Sequence, residues 1–294
     1  MNKSVFSNLL LVVTAFIWGT AFVAQSLGMA HIGPFTFSGV RNLVGCAALL
    51  PVIGLIWRRE GRPSPKTLRH TLFGGLWCGA VLFAAGSLQQ FGILYTTVGK
   101  ASFITALYIV LVPLLGLLFG RRVRAAVWLA VALGAVGLYL LCMREALTLS
   151  LGDGLVLGCA LLFSAHILVI DHFSAKADCV LMSCVQFLVA GVLGIACMFL
   201  FESPSVKDIL VSWAPILYAG ALSSGVAYTL QIVAQRNTDP AVASLLMSLE
   251  AVFGALAGWL ILGESFTVRE FAGAALLFGA ILLAQLPLKG FSRN

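Results

Sequence analysis

Residues 240–262 read PAVASLLMSLEAVFGALAGWLIL. Glu250 is the one charged residue in that run, and it stands near the middle. A helix crosses the hydrocarbon core of a bilayer with about 20 apolar residues, so the run is long enough to span. It shows no apolar–polar alternation, which a half-buried strand would need. A carboxylate at the centre of a membrane helix costs roughly 2.5–3.5 kcal/mol on insertion scales. The segment therefore reads as a membrane helix that keeps one acid at a cost.

Nine further runs of similar character flank it. They extend roughly over Asn8–Leu27, Pro34–Trp57, Thr71–Tyr95, Ala101–Phe119 and Ala125–Cys142, then Leu151–Ile170, Cys179–Phe201, Trp213–Gln235 and, after the quoted run, Phe271–Leu288. Composition agrees: 61% of the 294 residues are hydrophobic, 10% are charged, and the mean hydropathy is +1.04. A soluble domain carries about a quarter charged residues and needs them for its solvated shell. A β-barrel is disfavoured, because these runs are apolar on every face. The expected fold is an all-α integral membrane protein of ten helices. The run from Leu9 to Leu27 is too long for a signal-peptide core and is expected to remain as the first helix.

The net charge of +7 has a membrane explanation. With the N-terminus placed in the cytoplasm, that side holds Lys3, the basic residues of the Arg58–Arg69 loop, Arg121, Arg122, Arg124, Lys176, Arg236, Lys289 and Arg293. The other side holds Lys100, Arg144, Lys207 and Arg269. This is the positive-inside bias, and it emerges only if ten crossings are counted. It places both termini in the cytoplasm and leaves no reason to invoke nucleic acid. The seven cysteines match no metal spacing and read as small apolar residues. No metal and no cofactor is expected.

The halves look related. Gly120–Val123 and Gly263–Phe266 each follow a helix and precede a Gly/Ala-rich one, at an offset of about 140 residues. Two units are expected, 1–143 and 150–288. Each contains five helices, an odd number, so the second enters the membrane from the opposite side. Such inverted repeats build many secondary carriers, with the solute site near the midplane between the halves.

On this frame the chain resembles the EamA-type permeases of the drug/metabolite transporter superfamily. The resemblance rests on Ile17-Trp18-Gly19-Thr20, on Pro34 followed by Arg41-Asn42, and on Tyr95-Thr96-Thr97. In the second half it rests on Ser248-Leu249-Glu250, Leu262-Gly263-Glu264 and the Gly273–Gly279 stretch. It implies a ten-helix inner-membrane carrier for amino acids, related metabolites or drug-like amphiphiles, often an exporter. It also implies a central cavity lined by helices 1, 3, 4, 6, 8 and 9. One departure is Ala251, where the family usually has proline after the acid of helix 9. Pro113 stands in helix 4 instead, and a proline-driven break of helix 9 is not expected.

Glu250 is the sharpest candidate, as a proton or cation site, as a pole for a substrate amine, or as a structural carboxyl bonded to a neighbouring helix. Arg41 lies about two turns into helix 2. It is read as a partner for a solute carboxylate, as the partner of an acid or, preferentially, as a snorkelling cation that reaches the outer headgroups. Tyr228, Gln231 and Gln235 form a polar stripe on helix 8. Trp18, Thr20 and Gln25 on helix 1, Gln89 on helix 3, Tyr108 on helix 4, Ser164 on helix 6 and Ser248 on helix 9 complete the expected cavity. His166 is a candidate proton relay, with a structural role the stronger reading. Asp171 and His172 read as a solvated loop.

No phosphate-binding G-x-x-x-x-G-K-[ST] motif is present, so transport is expected to be secondary and to proceed by alternating access. The alternatives are a lipid-like substrate, a non-transporting scaffold or sensor, and an intramembrane enzyme, for which no spacing argues. The expected partners are a small-molecule substrate, the bilayer and a proton or cation. Monomer and homodimer both remain open, because the Gly-rich faces of helices 5 and 10 suit packing within the bundle or between subunits.

Overall fold

A computed structural model describes residues 3–96, 98–143, 150–262 and 267–285. Ten of its helices are long and apolar enough to cross a membrane. They are α1 (Lys3–Gly28), α2 (Pro34–Glu60), α3 (Pro65–Tyr95), α4 (Val98–Ala106, resuming as Tyr108–Leu118) and α5 (Ala125–Cys142). The second five are α6 (Leu151–Ser174), α7 (Cys179–Phe201), α8 (Trp213–Gln235), α9 (Pro240–Met247, resuming as Leu249–Leu262) and α10 (Val268–Gln285). A short helix, Val206–Val211, links α7 to α8.

Helix starts follow local chemistry. Ser64 accepts from the Thr67 amide, and Pro65 fills the first turn of α3. Ser150 and Asp153 form a reciprocal capping box on α6. Asp178 caps α7, and Asp239 with Pro240 opens α9. The cap at Ser64 places the start of α3 six residues before the apolar boundary at Thr71. Its first turns carry Lys66 and Arg69, which hydropathy excludes from a span although a helix tolerates them. Asp171 and His172, expected in a loop, belong to the last turn of α6.

The packing has two-fold character. α3 packs on α6 and α7, and in the corresponding way α8 packs on α1 and α2. The pairs α2–α7 and α5–α10 join equivalent helices of the two halves. Small residues set these contacts. A Cβ on Gly39 would come within 2.9 Å of the Ile195 backbone nitrogen. On Gly137 a Cβ would meet the Gly273 carbonyl at 2.8 Å. Without a hydrophobic drive between membrane helices, such close backbone approach is what holds them together. The small faces of α5 and α10 thus pack on each other within one chain.

Two helices are interrupted and one is unwound. α4 breaks at Leu107, whose amide reaches back three residues to the Ile104 carbonyl. α9 breaks at Ser248, before Ala251 and without a proline. There Ser244 Oγ bonds the Ala241 carbonyl and Ser248 Oγ bonds the Leu245 carbonyl, a back-bonding pattern that bends helices. The two breaks repeat the offset of about 140 residues between the halves. In α8, residues Tyr218–Tyr228 form a π-helix, a form that recurs at functional sites. The Gly263–Phe266 turn lies outside the described residues.

Candidate functional site

A narrow cavity lies among α1, α2, α3, α4, α6, α8 and α9. It offers about 50 Å³ to the centres of water-sized molecules. One water needs roughly 10–15 Å³ by that measure, so the space is narrow.

Its polar centre is built from the two broken helices. Tyr108 is the first residue after the break in α4, and Glu250 is the second residue after the break in α9. The Tyr108 hydroxyl donates to Glu250 Oε1 at 2.9 Å. Both side chains are buried, Glu250 to 4% exposure. Gly19 of α1 backs this pair. A Cβ there would stand 2.6 Å from the Glu250 carbonyl oxygen and 2.8 Å from the Gly254 nitrogen, so only glycine lets α1 come this close.

Arg41 faces the same cavity. It is 5% exposed, and its guanidinium carbon sits 5.6 Å from the centre of the Phe37 ring. The snorkelling expectation is corrected by this burial. α7 and α8 pack over α2, and the side chain turns into the bundle rather than toward headgroups. Arg41 Nε has no hydrogen-bond partner among the described residues.

Aromatic rings and amides form the rest of the wall. Trp18 and Tyr228 lie with ring centres 4.6 Å apart, and Trp18 Nε1 donates to the Ser223 carbonyl at 3.3 Å. Thr14 Oγ1 donates to the Ala227 carbonyl at 3.1 Å. Side chains of α1 thus bond two carbonyls of the π-helix, as buried backbone acceptors require. Gln89 Nε2 donates to Thr105 Oγ1 at 3.4 Å, and the amide of Gln90 donates to that of Gln25. His166 Nε2 pairs with Gln186 Oε1 of α7 at 3.0 Å. Gln231 lines the space, and its Oε1 has no hydrogen-bond partner among the described residues.

Nine candidates from the sequence converge here: Trp18, Gln25, Arg41, Gln89, Tyr108, His166, Tyr228, Gln231 and Glu250. Thr20, Ser164 and Ser248 do not line it. Their hydroxyls donate to carbonyls of their own helices, Ser164 to Ala160 at 2.7 Å and Thr20 to Ile17 at 3.0 Å. Buried hydroxyls on apolar helices commonly find that outlet. Gln235, on the expected stripe, donates to the Ile167 carbonyl at 3.3 Å and serves helix packing. Phe22 and Phe163 are wall residues that sequence reasoning did not single out, since nothing separates them from ordinary apolar lining.

Ten candidate spanning helices, two-fold packing and a cavity lined by polar side chains from both halves describe a polytopic membrane protein. The comparisons with known proteins agree. The EamA-like transporter family matches twice, over residues 5–143 and 150–286. The chain belongs to the EamA-like transporter family. It is 28% identical to an uncharacterized transporter of Archaeoglobus fulgidus, over 97% of this chain and 87% of that one. It is 24% identical to the uncharacterized inner membrane transporter YedA of Escherichia coli, over 92% and 87%. A solved crystal structure superposes with a TM-score of 0.76 at 20% identity, covering 95% of this chain and 96% of that one, which speaks for the fold alone.

Proposed function

We propose that this transporter carries small zwitterionic metabolites of the amino-acid class, outward across the cytoplasmic membrane, by alternating access around the central cavity. The observation that carries the reading is the presence of Arg41 and Glu250 in one narrow, aromatic-walled space. A guanidinium recognises a carboxylate, and a carboxylate recognises an ammonium. The Trp18 and Tyr228 rings offer faces for a cation or an apolar side chain. Arg41 Nε and Gln231 Oε1 supply an unpartnered donor and acceptor.

Glu250 also serves as the coupling group in this reading. In its protonated form it is cheaper to hold in the bundle, so exchange of its proton accompanies the cycle. The chain acts as a carrier rather than an enzyme, with repeat units 1–143 and 150–288 rocking against each other. The basic ends, Arg58–Arg69 and Arg121–Arg124, face the cytoplasm with both termini.

Counterflow in proteoliposomes tests this. Vesicles are loaded in turn with mixed amino acids, nucleobases and quaternary cations, and wild type is compared with Glu250→Gln. Saturable amino-acid exchange whose pH dependence vanishes in the variant is the expected result. Exchange restricted to quaternary cations would overturn the substrate class. Unchanged pH dependence would remove Glu250 from coupling.

A further inference from the structure

Away from the cavity, the first turns of α3 and the end of α6 enclose an open groove of about 1300 Å³. Lys66, Arg69 and Lys176 line it, together with His70. His70 Nε2 is buried there with no hydrogen-bond partner, and its ring lies 5.1 Å from that of Phe173. Among the described residues no acidic side chain lines the groove. Asp171 pairs with Arg121, Asp178 accepts from the amides of Val180 and Leu181, and Glu60, at the end of α2, is not part of the lining. The wall then continues along α3 as an exposed apolar strip of Leu72, Phe73 and Leu76, 45%, 53% and 51% exposed.

We propose that this groove is a binding site for an anionic phospholipid, unrelated to the transported solute. The phosphate sits among Lys66, Arg69 and Lys176, and the acyl chains lie along Leu72, Phe73 and Leu76. Charge complementarity selects the occupant. Cations gathered at a membrane-helix end, with no counter-acid and an apolar floor, match a lipid whose headgroup is negative and whose tail is apolar. A soluble phosphate would satisfy the cations and leave the strip uncovered. The helix α3 begins outside the apolar run because Ser64 caps it there, and that extension brings Lys66 and Arg69 to headgroup level.

Native mass spectrometry of the purified full chain tests the site. The protein is titrated with phosphatidylglycerol or with phosphatidylcholine of the same chains. Wild type is expected to retain phosphatidylglycerol preferentially. Arg69→Gln and Lys176→Gln each lower that affinity about fivefold, and combining both with Lys66→Gln abolishes the preference. Lys207→Gln, at the opposite end of the bundle, leaves it unchanged. Thermal unfolding in lipid-free detergent checks that each variant is folded, and the single variants carry the test if the triple one is not. Equal retention of the two lipids by wild type overturns the proposal, as does a preference that survives in the triple variant. Displacement of the lipid by millimolar glycerol phosphate would show an anion site without a lipid floor and overturn it equally.

Discussion

Arg41 and Glu250 bring a guanidinium and a carboxyl group into one narrow space, and a hydrogen bond to a charged group is worth about 1.5–3 kcal/mol. Replacing Arg41 by Gln is therefore expected to weaken exchange of zwitterions about tenfold or more while sparing simple amines, read as the half-saturating concentration in counterflow. Tyr108→Phe removes the hydroxyl that donates to Glu250 Oε1 and is expected to slow exchange about tenfold at unchanged thermal stability. At this scale the sequence announced the acid, because a lone carboxylate in a long apolar run has no bland explanation. It misplaced the arginine. Depth counted along α2 said that the side chain could reach water, and only the packing of α7 and α8 over α2 shows which way it turns. Gln186, the partner of His166, was equally hidden, since one amide on an apolar helix points nowhere until its neighbour is known.

At the scale of the element, glycines decide how close helices come. Gly19→Ala forces a methyl group against backbone atoms of α9 that cannot yield, at an expected cost of about 1–3 kcal/mol. Gly54→Ala is the matched control: nothing stands within 4 Å of a Cβ there, and the change is expected to be neutral or slightly stabilising. Thermal unfolding in detergent distinguishes the two. The α2–α7 seam has its own reporter, because Cys46 Sγ and Cys184 Sγ lie 3.5 Å apart. Copper–phenanthroline is expected to take two electrons and two protons from this pair and join it as a disulfide, seen as a linked peptide by mass spectrometry. Cys46→Ser removes the link, and failure to cross-link in wild type would refute the seam. The ten spans were legible because apolar length is a composition property. The break at Ser248 was not, because it arises from hydroxyls choosing helix carbonyls over other partners, and proline was the only breaker the residues advertised.

For the whole molecule, the pairing of α2 with α7 and α5 with α10 makes the halves two copies of one design facing opposite ways. The orientation proposed for them rests on where the cations gather. In a cysteine-free background, an impermeant maleimide applied to intact cells is expected to label Lys207→Cys and not Arg62→Cys. The reverse pattern would invert the topology and with it the direction assigned to export. The inverted architecture could be inferred from an odd helix count in each half. The narrowness of the cavity could not, since it is a sum of side-chain volumes from seven helices whose relative rotation no single helix records.

The π-helical stretch Tyr218–Tyr228 acts on α8 as a phase shifter. An α-helix advances its face by about 100° per residue and the wider turn of a π-helix by less, so rewinding this stretch as α-helix at unchanged length would rotate everything beyond it. Gln231 would leave the cavity while the hydropathy profile stayed almost the same. Two chains of this kind with indistinguishable membrane topology can therefore present different solute-facing residues, and their substrates cannot be matched by aligning spans alone.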